Sequence, residues 1–204
     1  METLVQQQYD RLATIYDQRW QVYITRTLSF LVDWATIAPS ERVLDVACGT
    51  GELERLLGEQ QAQQAMVGVD FSAQMLAIAR QKCQHLPAVQ FWQTSASVLP
   101  GPHSQFDVVI CANAFHYFDQ PETVLAEMAR VLATGGRVII LDWCRDFFLC
   151  RLCDWVLGWV DGAYQRCYTE AELHGLLKAA GYRVGRSQRV RFGCFWGLMV
   201  VEGQ

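Results

Sequence analysis

The sequence predicts an α/β fold in which a mostly parallel β-sheet is flanked by helices. Three observations support this prediction. Short apolar segments alternate with amphipathic segments, a glycine turn joins the first strand to a helix, and two extended patterns end the chain. The chain has 204 residues, which suits a single domain with a substantial core, and no domain boundary is visible.

Five segments have the length and apolar composition of strands. They are residues 42–47, 66–70, 89–94, 106–111 and 137–143. Amphipathic segments predict helices between them, at residues 52–58, 72–83 and 122–132. Because strands connected through helices run parallel, this order predicts parallel pairing in the centre of the sheet.

The connection into the fifth strand contains Gly135 and Gly136, which predict a tight link from the preceding helix. Residues 169–180 predict a last helix. Thr169 is its expected N-cap, and Glu172 three residues later completes a capping box.

The end of the chain changes from helical to extended patterns. Residues 182–191 and 193–202 surround a short turn. This pattern predicts an antiparallel hairpin at one edge of the sheet.

Composition and charge exclude several functional classes. The chain is 51% hydrophobic and 19% charged, its net charge is −4, and it has no run of Lys or Arg, which argues against a nucleic-acid partner. The first residues have no basic region, and no segment approaches the roughly 20 apolar residues of a spanning helix. We therefore expect a cytoplasmic protein without stable membrane insertion. The oligomeric state stays open.

The most informative segment is residues 43–54, which read VLDVACGTGELE. Gly49 and Gly51 allow a sharp bend and a close approach of the backbone to a ligand. A dinucleotide turn has a third glycine where this chain has Glu54, which argues against a nicotinamide-dependent oxidoreductase. Glu52 and Glu54 also place negative charge at a helix start where a pyrophosphate would bind. The turn therefore favours a ligand with cationic groups.

With this turn and four later motifs, the chain resembles the class I S-adenosylmethionine-dependent methyltransferases, specifically the small type similar to ubiquinone and menaquinone biosynthesis enzymes. The resemblance covers most of the chain. Its motifs lie at residues 43–51, 67–76, 106–121, 131–137 and 168–182. It implies a three-layer, Rossmann-like, seven-stranded sheet of order 3-2-1-4-5-7-6, S-adenosyl-L-methionine as cofactor, and a small-molecule substrate.

The resemblance also implies roles for individual residues. Asp45 would meet the ammonium group of the cofactor, and Asp70 would accept hydrogen bonds from both ribose hydroxyls. Where the family has an acidic residue after the third strand, this chain has Ser95, a neutral acceptor. The expected cofactor-binding residues are Tyr9, Asp45, Ala47, Gly49, Gly51, Asp70, Phe71, Met75, Ser95, Ala96 and Asn113. No metal is expected.

Several of these residues have a simpler interpretation that the sequence leaves open. An Asp after a strand is often a turn residue or a helix cap. Taken alone, residues such as Phe71 and Met75 more often belong to the core.

The catalytic candidates are His116, Tyr16 and Tyr117. His116 follows the fourth strand and can take a proton near neutral pH. The alternative is that it only closes the pocket. Tyr9 and Tyr16 are seven residues apart and share one helix face, so they either bond the ligands or pack at a helix boundary.

Two segments are expected to cover the site: residues 1–36 as a helical lid and residues 144–168 as an aromatic-rich insertion. Phe148, Leu152, Trp155 and Trp159 in the insertion have helical spacing and form one apolar face. This face favours an apolar or aromatic acceptor. Packing on the sheet and contact with a membrane surface are the alternatives.

Eight cysteines are many for a chain of this length. Cys144, Cys150, Cys153 and Cys167 fall in one segment, which raises a thiol-dependent, arsenite-like methyltransferase as an alternative function. Their spacing lacks the paired motifs of a zinc site. A second alternative is a non-catalytic or regulatory module that binds the cofactor.

Overall fold

The α/β architecture predicted from the sequence is confirmed in a computed structural model, which describes residues 2–101, 103–160, 164–193 and 196–204. The strands are β1 (Val43–Val46), β2 (Met66–Asp70), β3 (Val89–Gln93), β4 (Phe106–Ala112), β5 (Leu132–Trp143), β6 (Val184–Phe192) and β7 (Trp196–Gly203). The helices are α1 (Glu2–Ala35), α2 (Glu52–Gln60), α3 (Ala73–Lys82), α4 (Pro121–Val131), α5 (Phe148–Val160) and α6 (Glu170–Ala179).

The seven strands form one sheet of order β3-β2-β1-β4-β5-β7-β6. The strands from β1 to β5 pair in parallel, and β7 pairs antiparallel with both β5 and β6. The predicted strand order and C-terminal hairpin are therefore confirmed. Because the parallel strands share a direction, their carboxyl ends meet at one edge, where such sheets bind ligands.

Helices cover both faces of the sheet. On one face, α1 and α2 pack against β1 and β4, with Leu31 and Leu57 fully buried. On the other face, α4 and α6 bury Leu125, Met128 and Leu173. The central strands are consequently apolar on both sides, as parallel strands in this layered arrangement must be.

The fifth strand begins earlier than the sequence predicted. Leu132 already pairs with Phe106, and Arg137 pairs with Val108, so residues 133–136 stand opposite Asp107 alone. The two glycines predicted as a link are therefore part of an irregularity inside β5. Gly135, with φ of +81°, turns the backbone there.

Local signals at the last helix were predicted correctly. The Thr169 hydroxyl accepts a hydrogen bond from the Glu172 amide at 3.2 Å, and the Glu172 carboxylate accepts one from the Thr169 amide at 2.7 Å. This is the expected capping box.

The aromatic face of α5 points away from the sheet. Phe148, Leu152, Trp155 and Trp159 are 73%, 50%, 66% and 81% exposed. The alternative that this face packs on the sheet is therefore wrong. Among the described residues, we find no helix with the length and hydrophobicity needed to span a bilayer. Residues 161–163 of the expected cover and 194–195 of the second predicted extended segment lie outside the described residues.

A candidate cofactor and acceptor site

One cavity lies at the carboxyl ends of β1, β2 and β4, and α1 covers it. Its walls come from α1, from the turn after β1, and from the segments that follow β2, β3 and β4. The cavity is therefore at the edge of the sheet where this class of fold binds small ligands.

Most of the predicted site residues line this cavity. They are Tyr9, Tyr16, Asp45, Ala47, Gly49, Asp70, Phe71, Met75, Ser95, Ala96, Asn113 and Tyr117. Gly51 and His116 do not line it. The sheet topology thus brings together residues from five separate segments of the chain, and the two exceptions are explained by their packing.

The lining is acidic. Four of the lining residues are carboxylic acids, Asp45, Glu52, Asp70 and Asp119, whereas no described lining residue is Lys, Arg or His. Glu52 is neutralised by ion pairs with Arg55 and Lys82 from behind the cavity. Asp45 and Asp70 have no ion pair with a described residue, so these carboxyl groups suit a cationic ligand better than a phosphate.

Asp45 is the last but one residue of β1, and one of its carboxylate oxygens, Oδ1, is buried and without a hydrogen-bond partner. Behind it lies Glu54, which is 1% exposed and has both carboxylate oxygens buried and unpartnered. Burial raises the pKa of Asp45 well above its usual value, and the Glu54 charge raises it further. Burial also raises the pKa of Glu54 to about 8. A buried acceptor without a donor is costly, so a ligand cation at Asp45 would relieve an existing penalty.

Asp70 ends β2 in a well-defined orientation. Its Oδ2 accepts a hydrogen bond from the Gly49 amide and its Oδ1 accepts one from the Ser72 amide, each at 2.9 Å. These bonds lower the pKa of Asp70, but burial outweighs them and raises it to about 6. A carboxylate has about four lone-pair sites, so the group can accept ligand hydroxyls in addition to these amides.

The glycine turn between β1 and α2 uses its two glycines differently. Gly49, with φ of +55°, has open space where a Cβ would stand, which leaves its backbone accessible from the cavity. Gly51, with φ of +72°, has the Ala79 Cβ only 2.9 Å from that position. Gly51 therefore serves the turn and the packing of α2 on α3, which explains why it does not line the cavity.

The expected adenine side of the cavity is formed by Phe71, Met75, Ser95 and Ala96. Met75 is fully buried, and its amide is capped by the Ser72 hydroxyl at 3.1 Å. The Ser95 hydroxyl accepts a hydrogen bond from the Ser97 amide at 3.1 Å and retains acceptor capacity.

Polar contacts join α1 to the floor of the cavity, and sequence reasoning missed them. Asp17 accepts a hydrogen bond from the Thr50 hydroxyl at 2.5 Å and pairs with Lys82 at 2.7 Å. Gln6 donates to the Phe71 carbonyl at 3.0 Å. Because these partners lie far apart in sequence, no local sequence pattern predicts their contacts.

Three tyrosines form an aromatic wall of the cavity. The Tyr9 ring lies 5.9 Å from Tyr16 and 5.6 Å from Tyr117, measured between ring centroids. Burial raises the pKa of Tyr9 and of Tyr16 far above the physiological range. These hydroxyls therefore act as neutral hydrogen-bonding groups rather than as bases.

Asn113 follows β4 with φ of +57°, an unusual conformation for a residue other than glycine. Its Oδ1 accepts a hydrogen bond from the Tyr23 hydroxyl at 2.7 Å, and its Nδ2 donates to the Thr27 hydroxyl at 3.3 Å. The side chain is engaged by α1, and the backbone amide donates to the Leu141 carbonyl at 2.7 Å, so the carbonyl oxygen is the part of Asn113 left for a ligand.

His116 is buried one layer behind the cavity. Its Nδ1 lies 2.7 Å from Asp142 Oδ1, and its ring is stacked at 4.8 Å on Trp143 and lies 4.3 Å from Tyr117. Asp142 also accepts hydrogen bonds from the amides of His116 and Trp143. An acceptor at Nδ1 favours the tautomer with a proton there, which leaves Nε2 unprotonated. Asp142, at the carboxyl end of β5, was missed because the pairing spans 26 residues.

The cysteines give no support to thiol chemistry. Burial raises the pKa of Cys144 to about 12 and raises that of Cys150 and Cys167. The Cys150 thiol donates to the Gly197 carbonyl at 3.1 Å, and only Cys153 of the four is exposed. Across the described part of the chain, no three His, Cys, Asp or Glu side chains are grouped to hold a metal ion.

Comparisons with known proteins show similarity to methyltransferases. Residues 43–136 match a family described as a methyltransferase domain. A 2-phytyl-1,4-naphtoquinone methyltransferase from Thermosynechococcus vestitus is 36% identical over 152 residues, which is 69% of this chain and 65% of the relative. A demethylmenaquinone methyltransferase from Thermus thermophilus is 42% identical over 113 residues, which is 55% of this chain and 51% of the relative. The chain thus spans between half and two thirds of these relatives.

The fold recurs in a solved structure. Magnesium protoporphyrin IX methyltransferase from Synechocystis PCC 6803, with bound SAH, superposes with a TM-score of 0.77 and 21% sequence identity. The superposition covers 100% of this chain and 99% of that chain.

Proposed function

Because the chain belongs to the class I S-adenosylmethionine-dependent methyltransferases, we propose that it methylates a small apolar or aromatic acceptor of the quinone class. One observation carries this proposal. Asp45 and Asp70 lie at the carboxyl ends of adjacent strands and have no ion pair with a described residue, in a cavity whose described lining has no basic side chain. This combination suits a ligand with a cationic group at one end and hydroxyls in the middle.

The proposed cofactor site uses polar and apolar groups that line the cavity. Asp45 binds the ammonium group of the amino-acid end, next to the exposed backbone of Gly49. Asp70 accepts the two ribose hydroxyls. Phe71 and Met75 contact the adenine ring, and the Ser95 hydroxyl takes the place of a carboxylate toward the adenine amino group.

When bound, S-adenosylmethionine supplies a methyl group on a positively charged sulfur, which is transferred by in-line displacement. The protein's task is to align the reactants and to exclude water. Alignment alone can lower a barrier by about 7–11 kcal/mol. We propose that two segments exclude water from the reactants. The first is α1, which acts as a lid, and the second is the segment of residues 144–168, which acts as a cover.

His116 is the proposed base for an acceptor that must lose a proton. Asp142 holds the Nδ1 side of the ring, so Nε2 is the atom that would accept the proton, with Asp142 stabilising the resulting charge. Since His116 lies behind Tyr117, the acceptor would have to extend past the Tyr117 ring to reach it.

The acceptor class is proposed from the rings around His116. Trp143 lies 5.5 Å from Trp196, and Trp196 lies 4.8 Å from Tyr23. Flat aromatic surfaces of this kind favour stacking with a planar ring. Two of the relatives are named for naphthoquinone and menaquinone substrates, which points to the same class.

Two measurements test the proposal. Calorimetry with S-adenosylhomocysteine should show binding to the wild type and strongly reduced binding to Asp45→Asn. Incubation with methyl-labelled cofactor and a panel of naphthoquinols and benzoquinols should then transfer label to at least one ring. Binding without transfer to any acceptor would favour the second candidate, a non-catalytic cofactor-binding module, which the position of His116 behind Tyr117 supports. No binding at all would refute both.

A further inference from the structure

The outward face of α5 is an apolar surface that the fold leaves without a partner. Its members share one side of the helix at spacings of four, three, one and three residues, and they are Phe148, Leu152, Trp155, Val156 and Trp159. Each is at least 41% exposed. We call this surface the α5 face. A continuous apolar surface of this kind is rare unless it contacts something.

The opposite side of α5 is fixed to the protein, so the α5 face has a defined orientation. The Cys150 thiol donates to the Gly197 carbonyl on β7 at 3.1 Å. Asp154 accepts hydrogen bonds from the Tyr164 hydroxyl at 2.5 Å and from the Cys167 amide at 2.7 Å. The apolar residues therefore face outward because the other side of the helix is anchored.

The charged residues of α5 itself leave one basic group beside the α5 face, although the chain carries a net charge of −4. Arg151 is the one basic residue of α5, is exposed and has no ion pair with a described residue. Asp154, the one acidic residue of the helix, is turned toward the protein. Close to the start of α5, the exposed Arg191 guanidinium lies 5.0 Å from the centroid of the Phe147 ring. Exposed tryptophans on a helix that also carries an arginine without an ion pair are typical of segments at the boundary of an anionic bilayer.

We propose that the α5 face docks peripherally on an anionic phospholipid bilayer, with the tryptophans at the headgroup boundary. With 13 residues, α5 is shorter than the about 20 residues of a spanning helix, so it lies in the plane of the surface. Tyr164, soon after α5, has its ring 5.8 Å from the His116 ring. Docking would thus hold the candidate acceptor site close to the bilayer. This proposal goes beyond the proposed function, because bilayer binding does not require methyl transfer.

Vesicle sedimentation tests the proposal. The wild type should co-sediment with phosphatidylcholine vesicles that contain about a third of phosphatidylglycerol, and less with pure phosphatidylcholine. The double variant Trp155→Ser, Trp159→Ser should lower the partition coefficient on the order of ten-fold or more. Arg151→Glu should lower binding only to the anionic vesicles. The matched control is Val98→Ser, an apolar residue of 66% exposure outside α5, which should bind as the wild type does.

Two results would overturn the proposal. The first is equal partitioning of the Trp double variant and the Val98→Ser control. The second is a wild-type dimer in light scattering that becomes monomeric in the Trp variant, because the α5 face would then bind a second copy of the chain. Affinity for S-adenosylhomocysteine, measured in parallel, should be unchanged in all variants. This separates failure of docking from failure of the cofactor site.

Discussion

Replacing Glu54 by Gln should stabilise the ligand-free protein at alkaline pH. Glu54 is buried with both carboxylate oxygens unpartnered, beside the equally buried Asp45. Glutamine keeps the shape of the side chain and removes its charge. The difference in unfolding free energy between wild type and Glu54→Gln therefore measures the cost of ionising Glu54 beside Asp45 in the folded protein.

The magnitude follows from the pKa of Glu54, which burial raises from 4.5 to about 8. Between pH 4.5 and about 8, Glu54 in the folded state holds a proton that it has lost in the unfolded state, so the free energy of unfolding falls as pH rises. The shift of 8 − 4.5 = 3.5 units corresponds to at most about 5 kcal/mol at about 1.4 kcal/mol per unit. Since the surroundings relax around a new charge, we expect a gain of about 2–4 kcal/mol at pH 9.

The assay is urea denaturation followed by tryptophan fluorescence, at pH 5, 7 and 9, without ligand. Glu54→Gln and wild type should differ little at pH 5 and diverge as pH rises. The control is Glu59→Gln on the same helix, whose exposed side chain pairs with Arg55 and should change stability by less than about 1 kcal/mol. A Glu54→Gln variant that is no more stable than wild type at pH 9 would refute this reasoning.

The remaining predictions concern ligand binding, catalysis and the glycine turn. Asp70→Ala should weaken binding of S-adenosylhomocysteine by about 100-fold or more in calorimetry, because two hydroxyls lose a charged acceptor; unchanged affinity would disprove the ribose assignment. Because burial raises the pKa of Asp70 to about 6, wild-type affinity should rise between pH 5 and 7.5, as the carboxylate ionises before it binds hydroxyls. His116→Gln should slow methyl transfer by about 100-fold or more with cofactor affinity within about two-fold, and a loss of affinity instead would identify His116 as a wall of the pocket. Gly51→Ala should lower the free energy of unfolding by about 1–3 kcal/mol, since its φ is positive and Ala79 is too close. Thermal denaturation should show no such loss for Gly175→Ala on the exposed side of α6, where no atom lies within 4 Å of the added Cβ.

Much of the fold could be predicted because its signals are local. Alternating apolar and amphipathic segments identify the parallel strands, and Thr169 with Glu172 identifies a helix start. The early beginning of β5 could not be predicted in this way. Leu132 has the sequence features of a helix end, and only its pairing with Phe106 on a distant strand makes it part of the sheet.

Site residues whose position follows from the strand order could be predicted from the sequence. Site contacts that depend on side-chain packing could not. Asp45 and Asp70 end adjacent parallel strands, so the carboxyl edge of the sheet brings them to one cavity. The burial of Glu54 and the contact of His116 with Asp142 depend on side-chain packing across the fold. No periodicity or spacing encodes such contacts.

The single long helix α1 has a mechanical consequence. Its first half roofs the cavity through Tyr9 and Tyr16, while its last turns bury Leu31 and Ala35 completely in the core. With 34 residues it is a rod about 50 Å long, held in the core by its last turns and on the cavity floor by Gln6 and Asp17. Such a rod cannot swing as a unit without disrupting the interior, so any widening of the cavity under it requires its first half to bend and these polar contacts to break. Strengthening those contacts, rather than altering the cavity, would then slow exchange of ligands.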